Sequence, residues 1–347
     1  ENHNKRQREI QRVAVKVLKD QKRCFALITL LRKRSHGAWQ PRPHDEYCAL
    51  IVDSWGMSMS SNHLLTSDYP YELIADRSFA FEWSRSIAKN HRWWNEEIYA
   101  GMSPAGLNWQ KQSEPQELTM LLWMTLASGA AGSMFWQYRP EYLSFESPGY
   151  NLVALDGKPT PRFEAVTEAI AQIESMSQHL PLAYGKPDIG IICHPETQDL
   201  FGLSNEAAKY LSDMRGVYRT LWTESIPADI LTPKMNWSGY RLLFLPNTAL
   251  MTDELNDRII QTLKENPETK LVTEGAFGMY SSNGMSSYSP PETLGDIFGV
   301  RVADISRVTE KDIATGNNRI QTAFGEHVVT SSRGYLVLQP TSKDTEE

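Results

Sequence analysis

The hydrophobic positions of this chain follow two spacings. Continuous apolar runs of strand length alternate with segments whose apolar residues recur every three or four positions, as on one face of a helix. In the first half we predict strands at residues 24–30, 47–53, 92–99 and 132–138. Helices are predicted at 10–18, 76–89 and 115–128, the last with Ser113 and Gln116 as its capping box. Apolar strands that alternate with helices predict a parallel sheet covered on both faces.

A second α/β pattern follows a Pro-containing break near residue 181. Strands are predicted at 188–193, 241–245 and 270–273, and helices at 205–223 and 253–264, the latter capped by Thr252. This pattern predicts a small doubly wound domain without a nucleotide-binding glycine motif. Cys193 follows a strand but lacks the flanking glycines of a nucleophile elbow, so we expect a buried structural cysteine. Short strands are predicted at 328–330 and 335–338, before a charged tail.

Composition changes this picture in two ways. The chain has 347 residues, of which 41% are hydrophobic and 22% charged, so it is an ordinary globular mixture of about two domains. Its three cysteines are far apart, and no apolar run is long enough for a membrane span, so disulfide scaffolds, zinc–thiolate sites and membrane proteins are not supported. The 10 Trp and 14 Tyr residues, many of them in the first 150 positions, are in excess.

The start of the chain is basic. Residues 1–34 carry a net charge of +8, whereas the whole chain is −7. A nucleic-acid-binding arm is one interpretation. A solvated helix face is favoured, because the cations flank a regular apolar stripe and no aromatic residues interleave with them. No signal peptide is expected in this polar start; the location is left open, with the cytoplasm favoured.

The most informative residues lie at the end of the third predicted strand. Glu96 and Glu97 follow Trp93 and Trp94 there, and carboxyl strand ends are where barrel enzymes build their sites. A carboxylate among tryptophans is costly unless it has a function. Sugar rings stack on aromatic side chains, and glycoside hydrolysis uses carboxylates, so the pattern favours a glycosidase site. An aromatic core with a carboxylate at its rim remains an alternative.

A series of motifs resembles the glycoside hydrolase family 42 β-galactosidases. Four motifs resemble the part of those enzymes that bears the nucleophile, at residues 97–101 (EIYAG), 108–109 (NW), 127–132 (ASGAAG) and 135–141 (FWQYRPE). Two further motifs resemble the segment that closes their barrel, at 146–152 and 156–162. Residues 242–246 and 290–300 look like the family's flavodoxin-like trimerisation domain. The resemblance covers roughly residues 45–305, in register and in order.

The resemblance implies a retaining β-galactosidase-type hydrolase without a cofactor or metal among these residues. Glu97 aligns with the nucleophile, Trp109 lines the sugar subsite, and Glu146 binds galactose hydroxyls, with Glu141 as its rival. Glu96 should point to the opposite side of the strand from Glu97.

Four further aromatic or charged residues are candidates at the strand ends. Trp136 and Arg139 end the eighth barrel strand and either line the site or orient neighbours. Asp53 and Trp55 end the sixth, where a structural ion pair competes with substrate contact.

The second carboxylate is missing from the pattern. In this family it is the Glu of an Asn-Glu pair that ends the fourth strand, and the pairs at 95–96 and 205–206 do not fit. Counting back from Glu97 makes the four predicted strands numbers five to eight of a (β/α)8 barrel. We therefore predict a partial TIM-type barrel at 1–182, a flavodoxin-like domain at 183–305 and the start of a β region at 306–347. This chain alone should be catalytically incompetent.

Partners follow from the resemblance. We expect a β-galactoside-type carbohydrate as substrate and a homotrimer formed through the second domain, with neither nucleic acid nor membrane. The alternative is a non-catalytic carbohydrate-binding or assembly protein that derives from such an enzyme.

Overall fold

The computed structural model describes most of the chain. It covers residues 27–29, 45–50, 52–60, 65, 68–88, 92–103, 111–180, 182, 185–204, 207–286, 288–322, 325–328 and 333–341. The predicted helix at 10–18 lies outside these residues. The chain divides into two compact units, one formed by Glu1–Pro187 with Tyr218–Ile230 and the other by Asp188–Val217 with Leu231–Glu347.

The first unit contains a four-stranded parallel sheet. Its strands are β1 (Leu27–Thr29), β2 (Ser54–Ser58), β3 (Arg92–Ile98) and β4 (Gly132–Phe135), and they lie side by side in chain order. Parallel neighbours need crossover connections, which here contain helices. These are α1 (Asp45–Ala49), α2 (Pro70–Ala88), α3 (Pro115–Ala127) and, after β4, α4 (Pro161–Ser175). The predicted α/β fold with parallel strands is confirmed.

The core of this unit lies between the sheet and α2. Phe79, Phe81 and Trp83 of this helix are buried. The Phe81 ring lies 5.6 Å from that of Trp93 on β3, and the Ser84 hydroxyl donates to the sulfur of Met57 on β2. Trp93 and Met57 therefore face the helices, and their neighbours along the strands face the opposite side of the sheet.

Two local predictions in the first unit are wrong. The apolar run at 47–53 was expected as a strand, but Asp45–Ala49 is helical and the strand begins at Ser54. A buried apolar run fits a helix and a strand equally well, so periodicity does not separate them. The capping box of α3 is formed by Glu114 and Glu117 rather than Ser113 and Gln116.

The second sheet is also parallel where its pairings are described. It contains β5 (Ile189–Ile192), β6 (Ala228–Leu231), β7 (Leu242–Leu245) and β8 (Lys270–Thr273) in the order β6-β5-β7-β8. The helices of this part are α5 (Pro195–Leu203), α6 (Ala207–Thr223) and α7 (Asp253–Glu265). Thr252 caps α7 as predicted, since its hydroxyl accepts from the Leu255 N–H at 3.2 Å. Strand β6 was missed, and Cys193 is buried as expected.

The remaining elements are short. The hairpin of β9 (Tyr280–Ser281) and β10 (Gly284–Met285) precedes α8 (Glu292–Phe298), which ends at Gly299 in the left-handed region with φ 69°. After it β11 (Val300–Val308) pairs antiparallel with β14 (Arg333–Pro340), which contains the predicted strand 335–338. Between them lie α9 (Glu310–Thr315), β12 (Arg319–Thr322) and β13 (Gly325–Val328), and residues 329–330 lie outside the described part. Among the described residues, no helix is both long and apolar enough to cross a membrane.

Candidate active site

A β-bulge shapes the carboxyl end of β3. On β2, Met57 pairs with Asn95 and the next residue, Ser58, pairs with Glu97, so Glu96 is an extra residue on β3. Because paired residues share a face, Glu97 lies on the face of Ser58, which is also the face of Gly56 two positions earlier. Met57 lies on the face that contacts α2. The bulge therefore turns Glu97 toward the opposite face of the sheet.

Glu96 lies on the same face as Glu97. A Cβ built on Gly56 would come within 1.8 Å of the Glu96 Oε2, so this carboxylate fills the space above the glycine. The expectation that Glu96 points to the opposite side from Glu97 is thus wrong, because regular alternation stops at the bulge. Two adjacent carboxylates share one face at the end of β3.

The carboxylate of Glu97 is held in a partly buried position. Its Oε2 is buried and has no hydrogen-bond partner among the described residues. Its backbone carbonyl accepts from the Ser58 hydroxyl at 3.4 Å, and the charge of its carboxylate acts on the hydroxyl of Tyr99. Burial first, and then the charge of Glu97, raise the pKa of Tyr99 far above its usual value.

Trp136 and Glu146 come together beside the end of β4. The Trp136 N–H donates to the Ile98 carbonyl at 2.9 Å, which ties the end of β4 to β3. Its indole Nε1–H donates to Glu146 Oε2 at 3.1 Å, and the side chain is 41% exposed. An exposed aromatic ring beside a carboxylate is the arrangement that suits a sugar face and its hydroxyls.

Glu141 and Arg139, the other two predicted residues after β4, form hydrogen bonds within the loop itself. The carboxylate of Glu141 accepts from the Ser144 hydroxyl, and the Glu141 carbonyl accepts from Ser147 at 2.6 Å. Arg139 donates to the Leu155 carbonyl at 3.3 Å in an exposed position. Within the described residues, Glu146 rather than Glu141 therefore adjoins Trp136.

Three further predicted residues have different outcomes. Trp109 lies outside the described residues. Asp53 is exposed and precedes β2, and Trp55 is buried in the first half of that strand. Both were expected at the carboxyl end of the sixth strand, and this is wrong because the strand itself begins after Asp53.

Sequence reasoning does not single out two residues near Glu97, Asn95 and Tyr99. Asn95 is fully buried, and its side chain pairs with both the N–H and the carbonyl of Met59, at 3.1 and 3.0 Å. Tyr99 belongs to the motif at 97–101. A buried amide two positions before a carboxylate, and a tyrosine two positions after it, were the available signals.

No group of three or more His, Cys, Asp or Glu side chains that could hold a metal ion occurs among the residues in the described ranges. The described residues bring carboxylates and aromatic rings to this end of the sheet. Such groups can attack a carbon centre, accept hydrogen bonds from hydroxyls and stack on a sugar.

Two protein families match the chain. Residues 44–176 match the family model described as β-galactosidase, and residues 196–339 match the one described as β-galactosidase trimerisation domain. The first match contains Glu97, Trp136 and Glu146.

Curated relatives carry the same name. β-Galactosidase GanA of Bacillus subtilis is 25% identical over 221 residues, covering 60% of this chain and 32% of the relative. A β-galactosidase of an Arthrobacter species is 23% identical over 287 residues, covering 79% of this chain and 40% of the relative. The chain thus spans well under half the length of these two relatives.

Solved structures share the fold. The β-galactosidase of Halorubrum lacusprofundi superposes with a TM-score of 0.77 at 13% identity, covering 96% of this chain and 49% of that one. A catalytic mutant of Gan42B, a β-galactosidase of G. stearothermophilus, gives a TM-score of 0.77 at 16% identity over 93% of this chain and 47% of that one. At these identities the likeness shows the fold alone.

Proposed function

Because the chain belongs to the glycoside hydrolase family 42 β-galactosidases, of which it covers part, we propose that its first unit supplies the nucleophile half of a retaining galactosidase site. Glu97 is the nucleophile in this proposal. The observation that carries it is the partly buried carboxylate of Glu97 at the end of a parallel strand, with Oε2 free of hydrogen bonds among the described residues. An oxygen without a donor keeps its lone pairs for attack on the anomeric carbon.

Trp136 and Glu146 form the sugar-binding part of the proposed site. The indole offers an exposed face, and its N–H orients Glu146 through a hydrogen bond of 3.1 Å. Glu146 then accepts hydrogen bonds from galactose hydroxyls with its remaining lone pairs. Arg139 and Glu141 hold the loop that carries Glu146.

The second catalytic carboxylate is proposed to come from barrel strands other than these four. A retaining mechanism needs a general acid/base about 5–5.5 Å from the nucleophile. Glu96 is adjacent to Glu97 and covers Gly56, which does not place it across a substrate from the nucleophile. We therefore expect no measurable hydrolysis of nitrophenyl galactoside by this chain alone.

An activated fluorosugar tests the nucleophile without the missing acid. Dinitrophenolate leaves without protonation, and fluorine beside the anomeric carbon slows hydrolysis of the adduct, so the glycosyl-enzyme accumulates. Incubation of this chain with a dinitrophenyl fluorogalactoside should add one fluorogalactosyl group, detected by intact-protein mass spectrometry. Peptide mapping should place it on Glu97.

Matched variants decide the assignment. Glu97→Gln should abolish the adduct, and Glu96→Gln, which keeps the volume above Gly56, should preserve it. An adduct on Glu96 or elsewhere would refute Glu97 as nucleophile. Sugar binding without any adduct would favour the non-catalytic carbohydrate-binding alternative.

We propose that the part of the chain around the second sheet is the flavodoxin-like trimerisation domain and that the protein assembles as a homotrimer. The family match at 196–339 and the strand order β6-β5-β7-β8, which corresponds to the order 2-1-3-4 of flavodoxin-like sheets, support this. Sedimentation equilibrium of this chain should give three times the monomer mass. A monomer at every concentration would refute assembly through this domain.

A further inference from the structure

A cavity of about 630 Å³ lies beside α2 in the first unit. Its walls come from α2, from the end of α3 and from parts of the segments 185–187 and 218–228, all of which belong to that unit. Sites for small molecules are typically clefts of about 300–1,000 Å³ with a few polar groups among apolar and aromatic ones. The cavity therefore has the size of a small-molecule site.

The sheet separates this cavity from the proposed nucleophile. Five residues of α2 line the cavity at a spacing of three or four positions, namely Tyr71, Ile74, Ser78, Glu82 and Arg85. Another side of α2 packs on the sheet, where the Phe81 ring contacts that of Trp93. Glu97 lies on the opposite face of the same sheet. A ligand in the cavity would thus be bound outside the proposed galactosidase site.

Aromatic rings form one part of the wall. The Tyr71 and Trp222 rings meet edge to face, with centroids 4.9 Å apart and an interplanar angle of 62°. Tyr218 makes the same kind of contact with Phe79, at 5.4 Å. In an edge-to-face pair one ring face stays available for another flat group. The neighbouring rings fix the orientation of Trp222 and Tyr218, so both are suited to hold such a group.

Polar groups form another part of the wall. The Arg85 guanidinium donates to the Oε2 of Glu82 from Nε and Nη2, at 2.8 and 2.7 Å, and it also bonds to Asp229. Both bonds to Glu82 end on Oε2, so Oε1 is open to a further donor. Ser78 and Ser128 line the same cavity, and a hydroxyl can both donate and accept.

The charges of this wall favour a neutral ligand. Glu82 and Asp229 together outweigh Arg85 by one negative charge, which repels an anion. Burial raises the pKa of Glu82, so its carboxylate holds less negative charge for a cation, and a cation would also be repelled by Arg85. A neutral sugar offers hydroxyls to the polar groups and a flat ring face to the aromatic ones.

We propose that this cavity is a second carbohydrate site, in which a neutral mono- or disaccharide packs a pyranose face on Trp222 and donates a hydroxyl to the Oε1 of Glu82. The proposal does not depend on the role of Glu97. It assigns to the helix side of the sheet a function that is separate from hydrolysis.

Fluorine NMR of the chain labelled with 5-fluorotryptophan tests this site by site. Each of the 10 tryptophans gives a signal, and the signals lost in Trp222→Phe and Trp136→Phe identify those two residues. Titration with lactose should shift the Trp222 signal to saturation. Sorbitol, which carries hydroxyls but no ring, should leave that signal in place.

Two variants and a control separate binding from general effects on the fold. Ala127, an exposed residue at the end of α3, lines the cavity, so Ala127→Phe should fill it and abolish the Trp222 shift. Gln116→Phe adds the same ring at an exposed position near the start of α3 and should leave the titration unchanged. Glu82→Gln should weaken lactose binding about tenfold or more, because a hydrogen bond to a charged acceptor is lost.

Each outcome supports or overturns the second site. A saturable Trp222 shift that Ala127→Phe abolishes and Gln116→Phe preserves supports it. An absent shift, an equal shift with sorbitol, or a shift that Ala127→Phe leaves intact would overturn it. A shift of the Trp136 signal alone would also overturn it, while the proposed galactosidase site would stand.

Discussion

Alanine at Gly56 probes the packing of the two carboxylates directly. Gly56 lies within β2 in ordinary strand conformation, so alanine fits the backbone there. The added Cβ would lie 1.8 Å from Oε2, 2.1 Å from Cδ and 2.7 Å from Oε1 of Glu96. All three distances are below van der Waals contact. The side chain of Glu96, only 8% exposed, must therefore move.

The cost follows from two opposing effects. Overpacking of a filled site costs about 1–3 kcal/mol. Replacing glycine in a strand raises the free energy of unfolding by about 0.5–1 kcal/mol, because the unfolded chain loses conformational freedom. Gly56→Ala should therefore lower the free energy of unfolding of the first unit by about 1–2 kcal/mol. In a Glu96→Ala background the clash is gone, and the same substitution should be neutral or stabilising.

Urea unfolding of the four proteins, followed by tryptophan fluorescence, measures this as a double-mutant cycle. The expected coupling between Gly56 and Glu96 is at least about 1 kcal/mol. Gly185→Ala is the control, since nothing lies within 4 Å of its added Cβ. An equal cost of Gly56→Ala in both backgrounds would refute the position assigned to the Glu96 carboxylate.

Three further outcomes are expected. Arg85→Met removes a cation that bonds to the carboxylates of the partly buried Glu82 and the buried Asp229, and should destabilise by about 3–5 kcal/mol in urea unfolding. This loss of unfolding free energy should grow as the pH rises above 4.5. Burial raises the pKa of Glu82, so the folded state favours its protonated form, and ionisation of Glu82 without Arg85 costs the folded state more. Burial lowers the pKa of His194 from 6.5 to about 3. Because the unfolded state therefore binds a proton more readily, the free energy of unfolding should fall as the pH falls from 6.5 toward 3, and it should fall less in His194→Gln. Glu146→Gln should slow fluorosugar labelling about ten- to a hundredfold by weakening a hydrogen bond to the sugar.

Hydrophobic spacing predicts much of the fold, but it does not show whether a short apolar run forms a helix or a strand. The run at 92–99 is the strand Arg92–Ile98, as predicted. The run at 47–53 contains the end of a helix instead, and the neighbouring strand Ser54–Ser58 includes Ser and Gly residues that a search for apolar runs passes over. Its burial comes from its place between two other strands, which the spacing within one segment does not contain.

The candidate site, too, was predictable only in part. Motif order predicts Glu97, Trp136 and Glu146 as site residues, and the structure places the last two in contact. The shared face of Glu96 and Glu97 was not found, because it depends on a register shift against β2. A bulge is a property of two strands, and the sequence of one strand predicts only regular alternation.

The bulge also explains the buried amide beside it. A register shift leaves backbone groups of the neighbouring strand without their ladder partners, and buried groups of this kind must be paired. The Asn95 side chain accepts from the Met59 N–H and donates to the Met59 carbonyl, so one amide replaces both ladder bonds. Asn95 faces the helices, where its amide also reaches the Thr125 hydroxyl at 3.5 Å. The orientation of Glu97 on one side of the sheet is therefore stabilised by an amide on the other side, two residues earlier in the same strand.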